Sequence, residues 1–129
     1  MQGAIVITGA SSGIGAACAR YLDGLGCTVW AGVRRREDGE ALARSTSARL
    51  RVLMLDVTDP ASIAAASRTV AEALPEAGLS GLVNNARISI AGPLELLPLA
   101  EVRTQFEVNV IGALAVTQAF LPLLRRARG

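Results

Sequence analysis

An apolar run, Ala4-Ile5-Val6-Ile7, leads directly into Thr8-Gly9-Ala10-Ser11-Ser12-Gly13-Ile14-Gly15. A helix-forming segment follows, Ala16-Ala17-Cys18-Ala19-Arg20-Tyr21-Leu22. Strand, glycine bend, helix: this order predicts a place where main chain receives a pyrophosphate. Glycine has no Cβ, so a diphosphate can approach the backbone closely, and positive φ costs glycine little. The free N–H groups and the positive dipole end of the new helix then face the anion. The glycines, Gly9, Gly13 and Gly15, are spaced G-x-x-x-G-x-G, which differs from the common G-x-G-x-x-G fingerprint. For one such bend taken alone, a tight βα connection without a ligand is the plain alternative.

The rest of the chain repeats the strand-helix order. Gly3 to Thr8 reads as a first strand buried on both faces, and Gly13 to about Leu25 as a helix stopped at Gly24 or Gly26. Thr28 to Val33 is a second strand, Asp38 to about Ser47 a short helix, and Leu50 to Leu55 a third strand. Asp59 reads as an N-cap with Pro60 at the first helical position, and the helix continues from Ala61 to about Leu74. Leu79 to Val83 is a fourth strand and Arg87 to Ala100 a loop. A final helix runs from about Leu99 to Arg126, with Pro122 kinking it or ending it early. Hydrophobic residues make up 51% of the chain and aromatics only 3%, so Ala, Val, Leu and Ile carry the core, as in a buried parallel sheet. The 129 residues suit one domain, 1–129, with a core that needs no metal or disulfide. Alternating strands and helices predict an α/β, doubly wound, Rossmann-like parallel sheet in the order 3-2-1-4, with helices on both faces.

Charge and cysteines narrow the partners. A net charge of +2 is too small to argue for nucleic acid or a membrane surface. Cys18 and Cys27 form no C-x-x-C pair and read as reduced thiols of a cytoplasmic protein. The N-terminus has no basic n-region ahead of its first strand, so no signal peptide is expected. The apolar stretch from Val108 to Leu124 is interrupted by Asn109, Gly112, Thr117, Gln118 and Pro122, and is not expected to span a membrane.

The second strand ends Val33-Arg34-Arg35-Arg36. In a βαβ dinucleotide fold an acidic side chain at this strand end holds the ribose 2′-hydroxyl of NAD, whereas arginine accommodates the 2′-phosphate of NADP. The acidic position is Val33, followed at once by Arg34, whose planar guanidinium suits a phosphate. The pattern favours NADP(H) over NAD(H). A solvated turn also explains an arginine run, and is the preferred reading for Arg35 and Arg36.

Three motifs together resemble the short-chain dehydrogenase/reductase family. Thr8 to Gly15 is similar to its T-G-x-x-x-G-I-G signature, which implies cofactor contacts from Thr8, Gly9, Ser11, Ser12, Gly13, Ile14 and Gly15. Asp56 resembles the family's acidic residue at the adenine amino group, with the main chain of Val57 beside it; capping of a loop is the alternative. Asn84-Asn85-Ala86-Arg87 is similar to the N-N-A-G motif. The resemblance implies that Asn84 and Ala86 approach the cofactor and that Asn85 braces neighbouring strands. Arg87 stands where the motif has glycine. It is costly if the position needs positive φ or close backbone approach, and harmless if its side chain points outward.

Phe106-Glu107-Val108-Asn109-Val110 resembles the helix that carries the family's catalytic Asn, here Asn109. A buried Asn satisfying a neighbouring backbone carbonyl fits the same pattern. The family's other catalytic parts are a Ser and a Y-x-x-x-K pair, in which the lysine lowers the pKa of the tyrosine. The sequence contains no Lys and no His, and its single Tyr is Tyr21. All 13 basic residues are Arg, and a guanidinium stays protonated and cannot relay the proton. The resemblance therefore covers about the first half of a typical member and implies carbonyl/alcohol hydride transfer by the whole enzyme. These residues alone are expected to bind the nicotinamide dinucleotide without turning over a small carbonyl or alcohol substrate. The alternative is an assembly module or half-enzyme whose partner supplies Tyr and Lys. The final helix is apolar around most of its circumference, which predicts a homo-oligomer through that helix, and the outer edge of the fourth strand is expected to be bare.

Overall fold

The computed structural model describes residues 3–129. Strands β1 (Ala4–Ile7), β2 (Thr28–Val33), β3 (Leu50–Met54) and β4 (Gly81–Val83) form one parallel sheet in the order β3-β2-β1-β4. Helices α1 (Gly13–Gly24), α2 (Arg36–Ala43) and α3 (Pro60–Ala73) connect them. The last connection leads through a 3-10 turn (Leu94–Leu96) to α4 (Leu99–Phe106), a π-helical segment (Glu107–Gly112) and α5 (Ala113–Ala127). The expected doubly wound sheet and its strand order are both present.

Side-chain alternation divides the core into two layers. Ile5 and Ile7 of β1 and Val29 and Ala31 of β2 pack against Ala16 and Ala19 of α1 and Leu42 of α2. On the other face, Val6, Trp30 and Leu53 pack against Ile63, Ala66 and Val70 of α3 and Val116, Phe120 and Leu123 of α5. Every residue of β1 is buried, which is why its sequence is an unbroken apolar run rather than an alternating one.

Several boundaries differ from the sequence expectation. Helix α2 stops at Ala43 rather than near Ser47, because the hydroxyls of Ser45 and Thr46 donate to the Leu42 carbonyl at 2.9 and 3.3 Å and compete with helix continuation. Ser47 is drawn instead to Asp23 at the end of α1, donating its N–H at 2.9 Å and its hydroxyl at 2.5 Å. Strand β4 begins two residues late because the Leu79 N–H donates to the Leu123 carbonyl of α5 at 2.9 Å. Pro122 lies inside α5, which continues to Ala127, so it does not end the helix. The 29-residue stretch Leu99–Ala127 is, by length and composition alone, long and apolar enough to cross a membrane. Within it, Val116, Phe120 and Leu123 are committed to the core. The outer edge of β4 pairs with no strand among the described residues.

A cavity at the C-terminal ends of the strands

All four strands deliver their C-terminal ends to one cavity of about 380 Å3. Gly9 and Ser11 to Ile14 enter it from β1, Gly32 to Arg34 from β2, Leu55 to Thr58 from β3, and Asn85 to Ser89 from β4, with Val108 of the π segment also lining it. Ligands of open α/β sheets bind at this rim, where helices start on opposite faces.

The bend between β1 and α1 is held by its own geometry. Gly9 and Gly13 have φ of 63° and 55°, in the left-handed region that favours glycine. A Cβ on Gly9 would lie 2.7 Å from the Ala86 Cα, and one on Gly15 would collide with the Gly9 carbonyl oxygen and Asn85 Nδ2. Ser12 is the N-cap of α1, yet its side chain makes no capping bond. The amides of the first turn are thus left to a ligand or to solvent.

Thr8 and Asn85 tie this bend to the end of β4. The Thr8 hydroxyl accepts from the N–H groups of Asn85 and Ala86 at 3.0 and 2.9 Å. Asn85 Nδ2 donates to the Thr8 and Gly9 carbonyls at 3.1 and 2.9 Å. Thr8 is buried and braces rather than lines the cavity, and Gly15 is a close-packing position behind it. Of the residues expected at the cofactor, Gly9, Ser11, Ser12, Gly13, Ile14, Arg34, Asp56, Val57 and Ala86 do line the cavity.

Asn84 does not. Its side chain donates to the Thr117 hydroxyl of α5 at 2.9 Å. The period-two alternation of β4 explains the reversal: Leu82 packs on the α3–α5 face and Val83 on the α1–α2 face, so Asn84 follows the former and Asn85 the latter. The residue of this pair that lines the cavity is Asn85, not Asn84 as expected. Asn109 also stays outside the cavity. Its Oδ1 accepts from the Ile88 N–H at 2.9 Å and its Nδ2 donates to the Ile88 carbonyl at 2.8 Å. The side chain is engaged in local backbone satisfaction, and it fixes the loop that follows β4. Ile88, Ser89, Thr58 and Val108 line the cavity without having been singled out in the sequence. Ile88 and Ser89 lie in a loop with no periodic signal, and Val108 lies in the π segment.

Asp56 and Arg34 set the electrostatics. The Asp56 carboxylate accepts from Thr58 N and Oγ1 at 2.9 and 2.8 Å, both on Oδ1. These two bonds, with a smaller contribution from the Arg34 charge, hold its pKa below the usual carboxylate value despite partial burial. The loop-capping reading of Asp56 is therefore realised, with Oδ2 left over on a residue that lines the cavity. Arg34 also lines the cavity, is exposed, and makes no ion pair within 4.0 Å among the described residues. The described residues contain no group of His, Cys, Asp or Glu able to hold a metal ion.

Comparison with known proteins agrees with this geometry. A family model for short chain dehydrogenase matches residues 3–129. Estradiol 17-beta-dehydrogenase 2 of Rattus norvegicus is 45% identical over 132 residues, covering 99% of this chain and 34% of the rat protein. Retinol dehydrogenase 16 of Homo sapiens is 45% identical over 126 residues, covering 97% of this chain and 40% of the human protein. Among solved structures, an NADPH-bound carbonyl reductase from chicken fatty liver superposes with a TM-score of 0.88 at 34% identity, covering 96% of this chain and 52% of that one. An alcohol dehydrogenase from the archaeon Thermococcus sibiricus, complexed with 5-hydroxy-NADP, gives 0.87 at 31% identity, covering 100% and 56%. The chain thus spans between a third and little more than half of the proteins it resembles.

Proposed function

The chain belongs to the short-chain dehydrogenase family, and on that premise we propose that its cavity holds NADP(H) for an oxidoreductase that interconverts a carbonyl and an alcohol. The observation that carries the reading is the convergence of all four strand ends on a cavity bounded by uncapped α1 amides and by Arg34. In this reading the amides of Ser12 to Ile14 meet the pyrophosphate, Asp56 Oδ2 meets the adenine amino group, and Arg34 meets the 2′-phosphate. The bound dinucleotide supplies or accepts the hydride; the residues described here bind and orient it.

Titration of NADPH and NADH fluorescence with wild type and Arg34→Asp tests the cofactor preference. A charge-assisted hydrogen bond is worth about 1.5–3 kcal/mol, so NADPH affinity is expected to fall by roughly ten- to a hundredfold while NADH affinity changes little. An unchanged preference for NADPH in the variant would overturn the assignment. The 129 residues hold no Lys, and Tyr21 stands exposed on α1, outside the cavity. These residues are therefore proposed to bind cofactor without turnover, and carbonyl reduction by the purified 129-residue chain would refute that.

Two further parts of the reading concern the whole protein. The two mammalian relatives are named for estradiol and retinol, both apolar alcohols. Leu94, Leu96 and Leu99 stand 91%, 72% and 68% exposed in and after the loop beyond the cavity, which supports an apolar alcohol or ketone as substrate. Phe106, Val110, Ile111 and Leu114 are likewise about half exposed along the last helix, which supports association of two copies through that helix.

A further inference from the structure

From its position at the cavity wall we infer that Arg87 is a second cationic anchor for the dinucleotide, gripping the pyrophosphate beside the glycine bend. The inference rests on the reading of this cavity as a dinucleotide site. Arg87 occupies the place where the N-N-A-G motif carries glycine, so it adds a full positive charge where the motif offers only main chain.

Three observations support the assignment. First, Arg87 lines the same cavity as Ser11, Ser12 and Gly13. It follows Ala86, whose Cα lies 2.7 Å from the position a Gly9 Cβ would take, so it leaves the strand end in direct contact with the bend. Second, its backbone is fixed on both sides. The Ala86 N–H is held by the Thr8 hydroxyl at 2.9 Å, and Ile88 is held at both its N–H and its carbonyl by Asn109. A long side chain on so restrained a base needs to order little besides its own rotamers to reach a ligand. Third, the guanidinium is uncommitted. Arg87 is exposed, and both ion pairs among the described residues lie elsewhere, at Arg35–Asp38 and Arg49–Asp23. The cavity's one lining carboxylate, Asp56, is already engaged with Thr58 and feels Arg34.

Arginine in place of glycine costs no backbone strain here. Arg128 alone among the non-glycine described residues has positive φ, so Arg87 sits in an ordinary conformation. A planar guanidinium with parallel N–H donors suits two adjacent phosphate oxygens. Arg34, at the end of β2, and Arg87, after β4, then divide the work. Arg34 reads the phosphate that distinguishes NADP from NAD, and Arg87 holds the diphosphate common to both.

The test is binding of NADPH, NADH and adenosine to the 129-residue chain and to its Arg87→Gln and Arg87→Lys variants, with circular dichroism verifying the fold. For Arg87→Gln, affinities for NADPH and NADH are expected to fall by the same factor, roughly ten- to a hundredfold, with adenosine binding unchanged. Arg87→Lys keeps the charge without the fork and is expected to lie between. Unchanged dinucleotide affinity in Arg87→Gln would overturn the inference while leaving the function reading intact. A loss confined to NADPH would also overturn it, by moving Arg87 to the 2′-phosphate. Failure of the wild-type chain to bind either dinucleotide would sink the function reading and the inference together.

Discussion

Gly15 shows how little room single residues have around the bend. A methyl group there would collide with the Gly9 carbonyl and Asn85 Nδ2, two groups that are themselves hydrogen-bonded to each other. Gly15→Ala is expected to destabilise the fold by about 1–3 kcal/mol and to weaken dinucleotide binding at least tenfold, read from urea unfolding and NADPH titration. Asp23 is a different case, a buried carboxylate with a purely architectural role. The Ser47 hydroxyl and amide, and then the Arg49 charge, hold its pKa below the ordinary value against the opposing effect of burial. An acid whose pKa is depressed by folding binds fewer protons in the native state. Its contribution is therefore complete above the unfolded pKa of about 4 and is lost as pH falls through the folded value. Asp23→Asn is expected to be less stable than wild type at pH 7, with the gap narrowing as pH drops below about 4. Denaturant midpoints measured across pH 2–7 check this, and a gap that widens on acidification would contradict it.

At the scale of elements, α3 shows a cap that can be read from sequence alone: Asp59 accepts from the Ala61 N–H at 3.0 Å and Pro60 opens the helix. Asp59→Ala is expected to cost about 1 kcal/mol in thermal or denaturant unfolding. The last helix was legible only as a single long segment. It is divided by six π-helical residues, in which each turn takes an extra residue and side chains after it are rotated relative to an α-helix. That rotation is not encoded in any hydrophobic period, because apolar residues continue from the π stretch into α5 without a break in pattern. The π stretch carries Asn109, which is bonded to Ile88, and Val108, which lines the cavity. Asn109→Ala removes two hydrogen bonds to one residue. The Ile88 amide is expected to exchange with solvent markedly faster, and global stability to fall by roughly 1–2 kcal/mol. Unchanged exchange at Ile88 would show that the clamp does not hold the loop.

For the whole molecule, the exposed apolar residues matter more than the buried ones. Phe106, Val110, Ile111 and Leu114 lie on the stretch from α4 through the π segment to the start of α5, and each is between 49% and 59% exposed. If two copies associate through this helix, sedimentation or light scattering will show concentration-dependent mass. Phe106→Glu is then expected to raise the dissociation constant by tenfold or more, since truncating a buried interface aromatic commonly costs more than 1.4 kcal/mol. Phe106 is exposed and does not line the cavity, so dinucleotide affinity of the variant is expected to be retained.

The sequence by itself determined the strand-helix order, the parallel sheet and the glycine bend at the cavity. Those depend on local periodicity, on where glycine is required and on capping residues, all of which act within a few positions along the chain. Arg34 and Asp56 were identifiable for the same reason, as residues at strand ends. The tertiary structure decided which of two adjacent asparagines faces the cavity, where α2 yields to the Ser47–Asp23 tie, and that Arg87 sits unstrained at the cavity wall. Each of these depends on a partner 21 or more positions away in the chain, such as Thr117 for Asn84, Thr8 for Asn85 or Asn109 for Ile88. Contacts at that separation come from the packing of sheet against helix and leave no mark on the local pattern of residues.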